Sequence, residues 1–326
     1  MMLKALLLAL FPSFLQVPLR RLLGAKIGQG TKISFGSLVA ADSIDINDNV
    51  VVAPFCLIRA SVLKIGSNSR VQSLSIISTH TVELGEYTHI APTVVILGSM
   101  RPKAKFSLGD HSRVFPFCWI EPGEGVEIGK DVGIGGHGFI FTHGSWPDYV
   151  RGGPIQFGPV KVEDNVWLPW RVTILPNVVL GRDSVIGANS LVNKSIPAGS
   201  LAVGSPAKVV KEGLSLDRPV EERKKRMAEV LEHFGRYWQE QNPKQKVEFL
   251  NDSHGINLGQ RISLVSSDGL KTGDLFLTVD GLPETDKIQA LCKRGITVLD
   301  HKNQTIYLSA NCPKYIDEFV SFIRSY

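Results

Sequence analysis

Five of the eight histidines lie between His80 and His143. Imidazole, titrating near about 6.5 in water, is the side chain best suited to take a proton from a hydroxyl or an amine at neutral pH. His80, His111, His137 and His143 each follow an aliphatic residue (Ile77, Leu108, Ile134, Ile140) by three places, and His89 follows Leu84 by five. Solvated outward histidines are common, so spacing alone selects none of them. His143 is set apart by context, because it opens an irregular stretch, Gly144–Pro159, in an otherwise regular pattern that returns at Val160. A loop leaving a rigid scaffold is a favoured place for a reactive side chain. His143 is therefore the first candidate for a general base. His137, six residues earlier, is the second, as base or acceptor contact. Asp148 and Glu121 are the carboxylates considered for orienting the imidazole, with surface charge the competing reading for each. Trp146, Tyr149 and Arg151 put aromatic rings beside a cation, a combination suited to a sugar face or an anionic acceptor and equally to anchoring the loop.

The scaffold behind these residues is periodic. Aliphatic residues recur at 27, 33, 39, then 46, 52, 58, then 65, 71, 77, then 84, 90, 96, steps of six, six and seven that make a 19-residue unit. Four places after each stands a small residue, from Thr31 and Ser37 through Ser43, Cys56 and Val62 to Val94. Met100 is the first exception and falls in Ser99–Phe106, read as a loop; the pattern resumes at Leu108, again at Ile128, and from Val162 to Val192. A helix of about 3.6 residues per turn cannot gather a six-residue period on one face. A coil of three short strands can, each strand turning one large and one small side chain inward, with Gly or Asn supplying positive φ at the corners. Stacked coils pair every strand with the one below, so the core runs continuously along one axis. About eight coils are expected, a column of roughly 35–40 Å. Cys56 and Cys118 take the small inward position, which makes them packing residues rather than nucleophiles.

This hexad pattern, closed by VGSPAKVVK at Val203–Lys211, resembles the hexapeptide-repeat acyltransferases over about residues 25–212. The resemblance implies a mainly β protein built on a left-handed parallel β-helix. It also implies an acyl-CoA donor, most simply acetyl-CoA, a sugar or glycoconjugate hydroxyl as acceptor, no metal, and a homotrimer with its sites between subunits. His143 then falls at the family's general-base position, about 20 residues before the Asp164–Trp167 motif. The base removes the acceptor proton as the acceptor attacks the thioester carbonyl, and backbone N–H groups stabilise the oxyanion. The coenzyme A positions carried over are Trp170 and Ala188 along the groove, Asn193 and Lys194 at the next coil, and Pro206, Lys208 and Lys211 in the closing motif. The lysines suit the phosphates of the coenzyme; a merely solvated basic end is the competing reading. Pro169–Trp170 departs from the small residues usual there and implies a reshaped groove.

Composition bounds the remaining readings. With 36 Lys+Arg against 31 Asp+Glu the net charge is +5, too weak to argue for nucleic acid, and no basic stretch is interleaved with aromatics. Four cysteines without a CxxC pair point to a reducing, cytoplasmic setting. Residues 1–24 are expected as an amphipathic helical segment broken by Pro12 and Pro18, which caps the core or makes a peripheral membrane contact, with a signal peptide as the third reading. Residues 213–326 are expected as a linking helix plus a small α/β domain of unknown role. The helix runs from an N-cap at Asp217 and a first turn at Pro219 to about Gln241. Strands are expected near Arg261–Ser266, Asp274–Val279, Ile296–Leu299 and Thr305–Ser309, and helices near Glu284–Lys293 and Lys314–Ser325.

Three rivals to O-acylation are an N-acetyltransferase acting on an amino sugar, a non-catalytic scaffold, and a metal-dependent hydratase of the carbonic anhydrase kind. The last needs three histidine ligands, for which His111, His137 and His143 are the candidates.

Overall fold

The hexad aliphatics all turn inward. From Ile33 and Val39 to Ile186 and Val192 they are almost fully buried, and they form one continuous hydrophobic cluster. In this computed structural model the described residues are 2–144, 148–214 and 219–243. Beyond these lie 248–250, 255–257, 261–263, 275–278, 293, 297–300 and 305–307. They fall in two compact units, Met1–Leu216 and Asp217–Tyr326.

The first unit is a parallel β-solenoid with three faces, in keeping with the left-handed β-helix that the resemblance implies. The first face begins at Lys26–Ile27 and ends at Val179–Leu180, the second begins at Lys32–Ile33, and the third runs from Leu38–Ala40 to Leu191–Val192. Strands pair in parallel with the next coil in register, as in Ile46↔Ile65, Ile90↔Val114 and Ile120↔Ile140. The turns number about nine rather than eight, because Ile196 bridges Leu180 and Leu201–Gly204 stacks on Val185–Ile186. A shortened corner shifts Ile196 and Ala202 out of the hexad frame, which hides this last turn from the aliphatic count.

Three details of the expected repeat need correction. The small residue four places on is buried at the first two corners (Ser37, Val50, Cys56, Ser69, Ser75, Val94) but not at the third. There the seven-residue step moves the inward position one place further, to Leu63, Val82, Phe106, Val126 and Val160, while Ser43 is exposed and Val62 half-buried. Phe106 is accordingly not loop; it lies in the strand Lys105–Leu108 and is fully buried. Corner residues with positive φ include the expected Asn49, Asn68 and Asn165, yet the second corner uses Phe55, Leu74, Phe117 and His137. A left-handed conformation costs such residues roughly 1–2 kcal/mol each. Stacking of Phe117 on His137, ring centroids 5.0 Å apart, offsets part of that cost.

The outer faces differ in chemistry. The first carries a ladder of alternating charge, with Glu83 bridging Lys64 at 3.0 Å and Lys105 at 2.8 Å. The third is lined by Leu38, Leu57, Ile76, Val95, Trp119 and Phe139, stacked in register.

Two helices, α1 (Met2–Ala9) and α2 (Ser13–Leu22), lie over the first coil. Ala5, Leu8, Ala9 and Val17 are buried there. Hydrogen bonds tie the helices to coil edges: Gly36 N–H donates to Ala9 C=O at 2.8 Å, Ile33 N–H to Ser13 Oγ at 3.0 Å, and Gln16 Nε2 to Ser34 C=O at 3.3 Å. At the other end, Ala207–Lys211 folds back antiparallel on Leu201–Gly204.

In the second unit α3 (Val220–Gln241) buries Met227, Leu231 and Phe234. Pro219 caps it rather than lying in its first turn, and Asp217 lies outside the described residues. A six-stranded sheet contains Arg261–Ser263, Leu275–Thr278, Thr297–Asp300 and Thr305–Tyr307, near the expected runs. Glu248–Leu250 and Gly255–Asn257 are further strands of this sheet, beyond the four expected runs. Lys293 apart, the two helical patterns expected there fall outside the described residues.

Candidate active site

The chain leaves the column at its third corner, after Phe139–Phe141, and rejoins it at Val160–Val162. The excursion is held as a short hairpin in which His143 pairs with Phe157 and Gly144 with Gln156. Gly158 N–H donates to Thr142 C=O at 2.9 Å, and Asn177 Nδ2 of the coil below donates to Phe157 C=O at 2.9 Å. The imidazole of His143 stacks on the Phe157 ring, centroids 6.0 Å apart and 16° from parallel. It is half-exposed, with its side chain 46% accessible.

Its partner is Glu121, from the strand Trp119–Glu121 one coil earlier. His143 Nδ1 lies 2.7 Å from Glu121 Oε2. A carboxylate only accepts, so Nδ1 carries the hydrogen and Nε2 is left with a lone pair. The carboxylate is largely enclosed and firmly held. Thr142 Oγ1 donates to Oε2 at 2.7 Å, Gly123 N–H donates to Oε1 at 2.8 Å, and Thr142 N–H reaches Oε2 at 3.4 Å. Thr142 is fully buried and its hydroxyl also accepts from Glu124 N–H at 3.0 Å. The arrangement has the geometry that a general base requires: an imidazole, a carboxylate in position to orient it and a hydroxyl that holds the carboxylate.

Of the two carboxylates considered, the structure brings only Glu121 to His143. Asp148 turns back on its own loop: its Oδ1 accepts from Val150 N–H at 3.0 Å, and its Oδ2 sits 3.5 Å from Arg151 Nε, both side chains exposed. Trp146 and the side chain of Tyr149 lie outside the described residues. His137 sits at the second corner, between Phe117 and Trp170, with centroids 5.0 and 5.9 Å away. His111 occupies the first corner, where it stacks on Tyr87 and lies 3.7 Å from Asp131. The three candidate zinc ligands of the hydratase reading thus stand at three different corners and do not converge.

The donor positions also divide. Asn193 and Lys194 are exposed at the third corner, two coils beyond the His143 excursion. Trp170 and Ala188 are stacked at the second corner, on the opposite edge of the apolar face. Pro206, Lys208 and Lys211 are exposed in the closing hairpin. The Trp170 ring fits because Gly136 lies beneath it; a Cβ there would meet the ring at 2.6 Å. Cys56 and Cys118 are buried, and burial pushes both thiols up to about 11.

Sequence reasoning missed Thr142 and Phe157. Thr142 is a small residue just before the histidine at the exit from the repeat. Phe157 is an aromatic just before the repeat resumes. Both signals become readable once the hairpin register is known.

Fold and site together describe a hexapeptide-repeat β-helix carrying a histidine–carboxylate pair where its order breaks, and in sequence and fold the chain is similar to the hexapeptide-repeat acetyltransferases. It is 42% identical over 89 residues to a putative acetyltransferase of Schizosaccharomyces pombe, a match covering 27% of this chain and 43% of that one. It is 34% identical over 116 residues to the putative lipopolysaccharide biosynthesis O-acetyl transferase of Escherichia coli K12, covering 32% of this chain and 58% of the relative. The chain thus spans about half the length of these two curated relatives. Among solved structures it resembles the polysialic acid O-acetyltransferase OatWY, 22% identical, with a TM-score of 0.41, over 60% of this chain and 91% of that one. No family model matches.

Proposed function

We propose that the protein is an acyl-CoA-dependent O-acyltransferase, using acetyl-CoA to acetylate a hydroxyl of a sugar or glycoconjugate. The observation that carries this reading is the 2.7 Å contact between His143 Nδ1 and Glu121 Oε2 at the exit from the coil. With Nδ1–H held by the carboxylate, Nε2 accepts the proton of the acceptor hydroxyl as its oxygen attacks the thioester carbonyl. The resulting imidazolium is stabilised by Glu121, and the proton then passes to the departing thiolate of coenzyme A, so the balance is one ester formed and one thiol released. Relatives named as acetyltransferases, one of them for lipopolysaccharide O-acetylation, support the acetyl donor and the carbohydrate acceptor. Exposed Lys194, Lys208 and Lys211 suit the phosphates of the coenzyme.

The homotrimer belongs to the same reading. The apolar third face separates the His143 corner from the Trp170–Ala188 corner within one copy. A neighbouring copy laid against that face would cover it and bring the two kinds of corner together across an interface. We place the reaction in the cytoplasm, where acyl-CoA is found, and read residues 25–212 as the catalytic domain and 213–326 as an appended domain.

The test is mass spectrometry of candidate glycans incubated with acetyl-CoA and the full chain. A gain of one acetyl group that is lost in mild alkali identifies an O-ester, and an alkali-stable adduct identifies N-acetylation instead. His143→Ala should lower transfer about 10²- to 10⁴-fold, to a residual rate, while leaving coenzyme A binding and the melting temperature in place. Full activity in that variant would refute the assignment.

A further inference from the structure

The segment from α1 through Leu23 caps the column with one side only. Eight leucines and two phenylalanines of this segment stand exposed, with Leu3 at 72%, Phe14 at 74% and Leu22 at 84%. So many large apolar side chains in one short segment mark an interaction surface. Its charge is one-sided as well. Residues 1–41 contain Lys4, Arg20, Arg21, Lys26 and Lys32 and no acidic residue; Asp42 is the first.

An independent observation concerns Arg20. Its side chain sits between the helices and the first coil, only 3% exposed, with Nη1 donating to Val39 C=O at 2.7 Å. Its Nε and Nη2 are buried and have no hydrogen-bond partner among the described residues. Such groups are costly unless something accepts from them. Arg20 lines a cavity of about 180 Å³ together with Lys4, Leu8, Leu23 and Asp42. Among the described residues Asp42 makes no ion pair, so the cavity is lined by two cations and one carboxylate. Burial draws Arg20 down to about 10, which leaves it charged at neutral pH.

We propose that α1 and α2 form a docking surface for an anionic phospholipid bilayer. Their exposed leucines and phenylalanines enter the acyl boundary, and Arg20 and Lys4 receive a headgroup phosphate. An anionic lipid is favoured over a second copy of the chain because a copy would bring the same wholly cationic segment against itself. The helices lie on the surface and do not span it; no helix among the described residues is long and apolar enough to cross a membrane. This inference goes beyond the acyl-transfer reading and does not depend on it, because its readout is lipid binding.

The test is flotation of the full chain with vesicles of phosphatidylcholine alone and with vesicles also containing phosphatidylglycerol. Basic residues near an anionic surface each strengthen binding several-fold, so partitioning should be at least about tenfold greater on the anionic vesicles and should fall with salt. Leu3→Ser/Phe14→Ser/Leu22→Ser changes only exposed positions and should abolish flotation with the melting temperature unchanged. Lys4→Gln and Arg20→Gln should each reduce the preference for anionic vesicles about fivefold. No flotation on either vesicle, or flotation unaffected by the triple variant, overturns the proposal. So does a lowered sedimentation coefficient of the triple variant without vesicles, which would assign the surface to a second copy. Inorganic phosphate raising the melting temperature of the wild type but not of Arg20→Gln, without vesicle binding, also overturns it in favour of a free-anion site.

Discussion

Replacing Glu121 by Gln probes the proposed mechanism at its least redundant point. Oε2 accepts from both His143 Nδ1–H and Thr142 Oγ1–H, while Oε1 accepts from Gly123 N–H. A glutamine keeps one oxygen. Facing His143 and Thr142, it preserves those bonds and sets its NH2 against Gly123 N–H; reversed, it loses both. The first arrangement costs less, so the imidazole stays in place with its orienting bond but without the negative charge. That charge matters only as His143 becomes imidazolium in the transition state, where a charge-assisted hydrogen bond contributes about 1.5–3 kcal/mol. At about 1.36 kcal/mol per decade, kcat should fall roughly 10- to 150-fold, with KM for acetyl-CoA unchanged. Steady-state kinetics following release of the coenzyme A thiol would measure this, with a melting curve to confirm that the loss of stability stays near about 1 kcal/mol. Since the two residues act as a unit, Glu121→Gln added to His143→Ala should cause no further loss. A kcat within twofold of wild type, or losses that multiply in the double variant, would refute the pairing.

Four further outcomes follow from the same geometry. Phe106→Ala empties a fully buried site in the column and should cost about 3–5 kcal/mol, read by chemical denaturation. Glu83 is held below the usual carboxylate range by hydrogen bonds from Lys105 and Lys64. It should therefore contribute up to about 1 kcal/mol that is fully present above the unfolded carboxylate's pKa and lost as pH falls through the folded value. Denaturation of Glu83→Gln should show that deficit at neutral pH and none once both states are protonated. In a Cys292→Ser/Cys312→Ser background, Cys56 and Cys118, both pushed up to about 11, should resist thiol reagents until the protein unfolds. Trp170→Ala should change KM for the acyl donor several-fold while leaving turnover of bound substrate near wild type, because in the proposed reading its ring lines the donor groove and takes no part in the proton transfer.

Much of the column was legible in the residues because burial in a solenoid is strictly periodic, and every hexad aliphatic named from the sequence is an inward side chain. The small-residue rule slipped at the third corner for a local reason. The seven-residue step there changes which side of the strand faces inward, and a side-chain period of two turns a one-place error into the opposite face. His143 stood out because it is where order stops. Its partner carries no such signal. Glu121 is 22 positions away in sequence and one coil away in space, and nothing in a one-dimensional pattern ranks it above Asp148, five residues from the histidine. Trp170 and His137 illustrate the same limit: their contact depends on Gly136 leaving room for a ring from the next coil.

The two ends of the column bear on a different matter. A parallel coil whose outermost strands present free backbone donors and acceptors is a template for another coil of the same kind, in the same chain or in a neighbour. Here Ser13, Gln16 and the carbonyl of Ala9 take up donors and acceptors along the first coil, and Ala207–Lys211 runs antiparallel across the last. Both ends are stopped by backbone that cannot continue the repeat, so growth into end-to-end fibres is blocked by design of the termini and the repeat can afford its long, uninterrupted core.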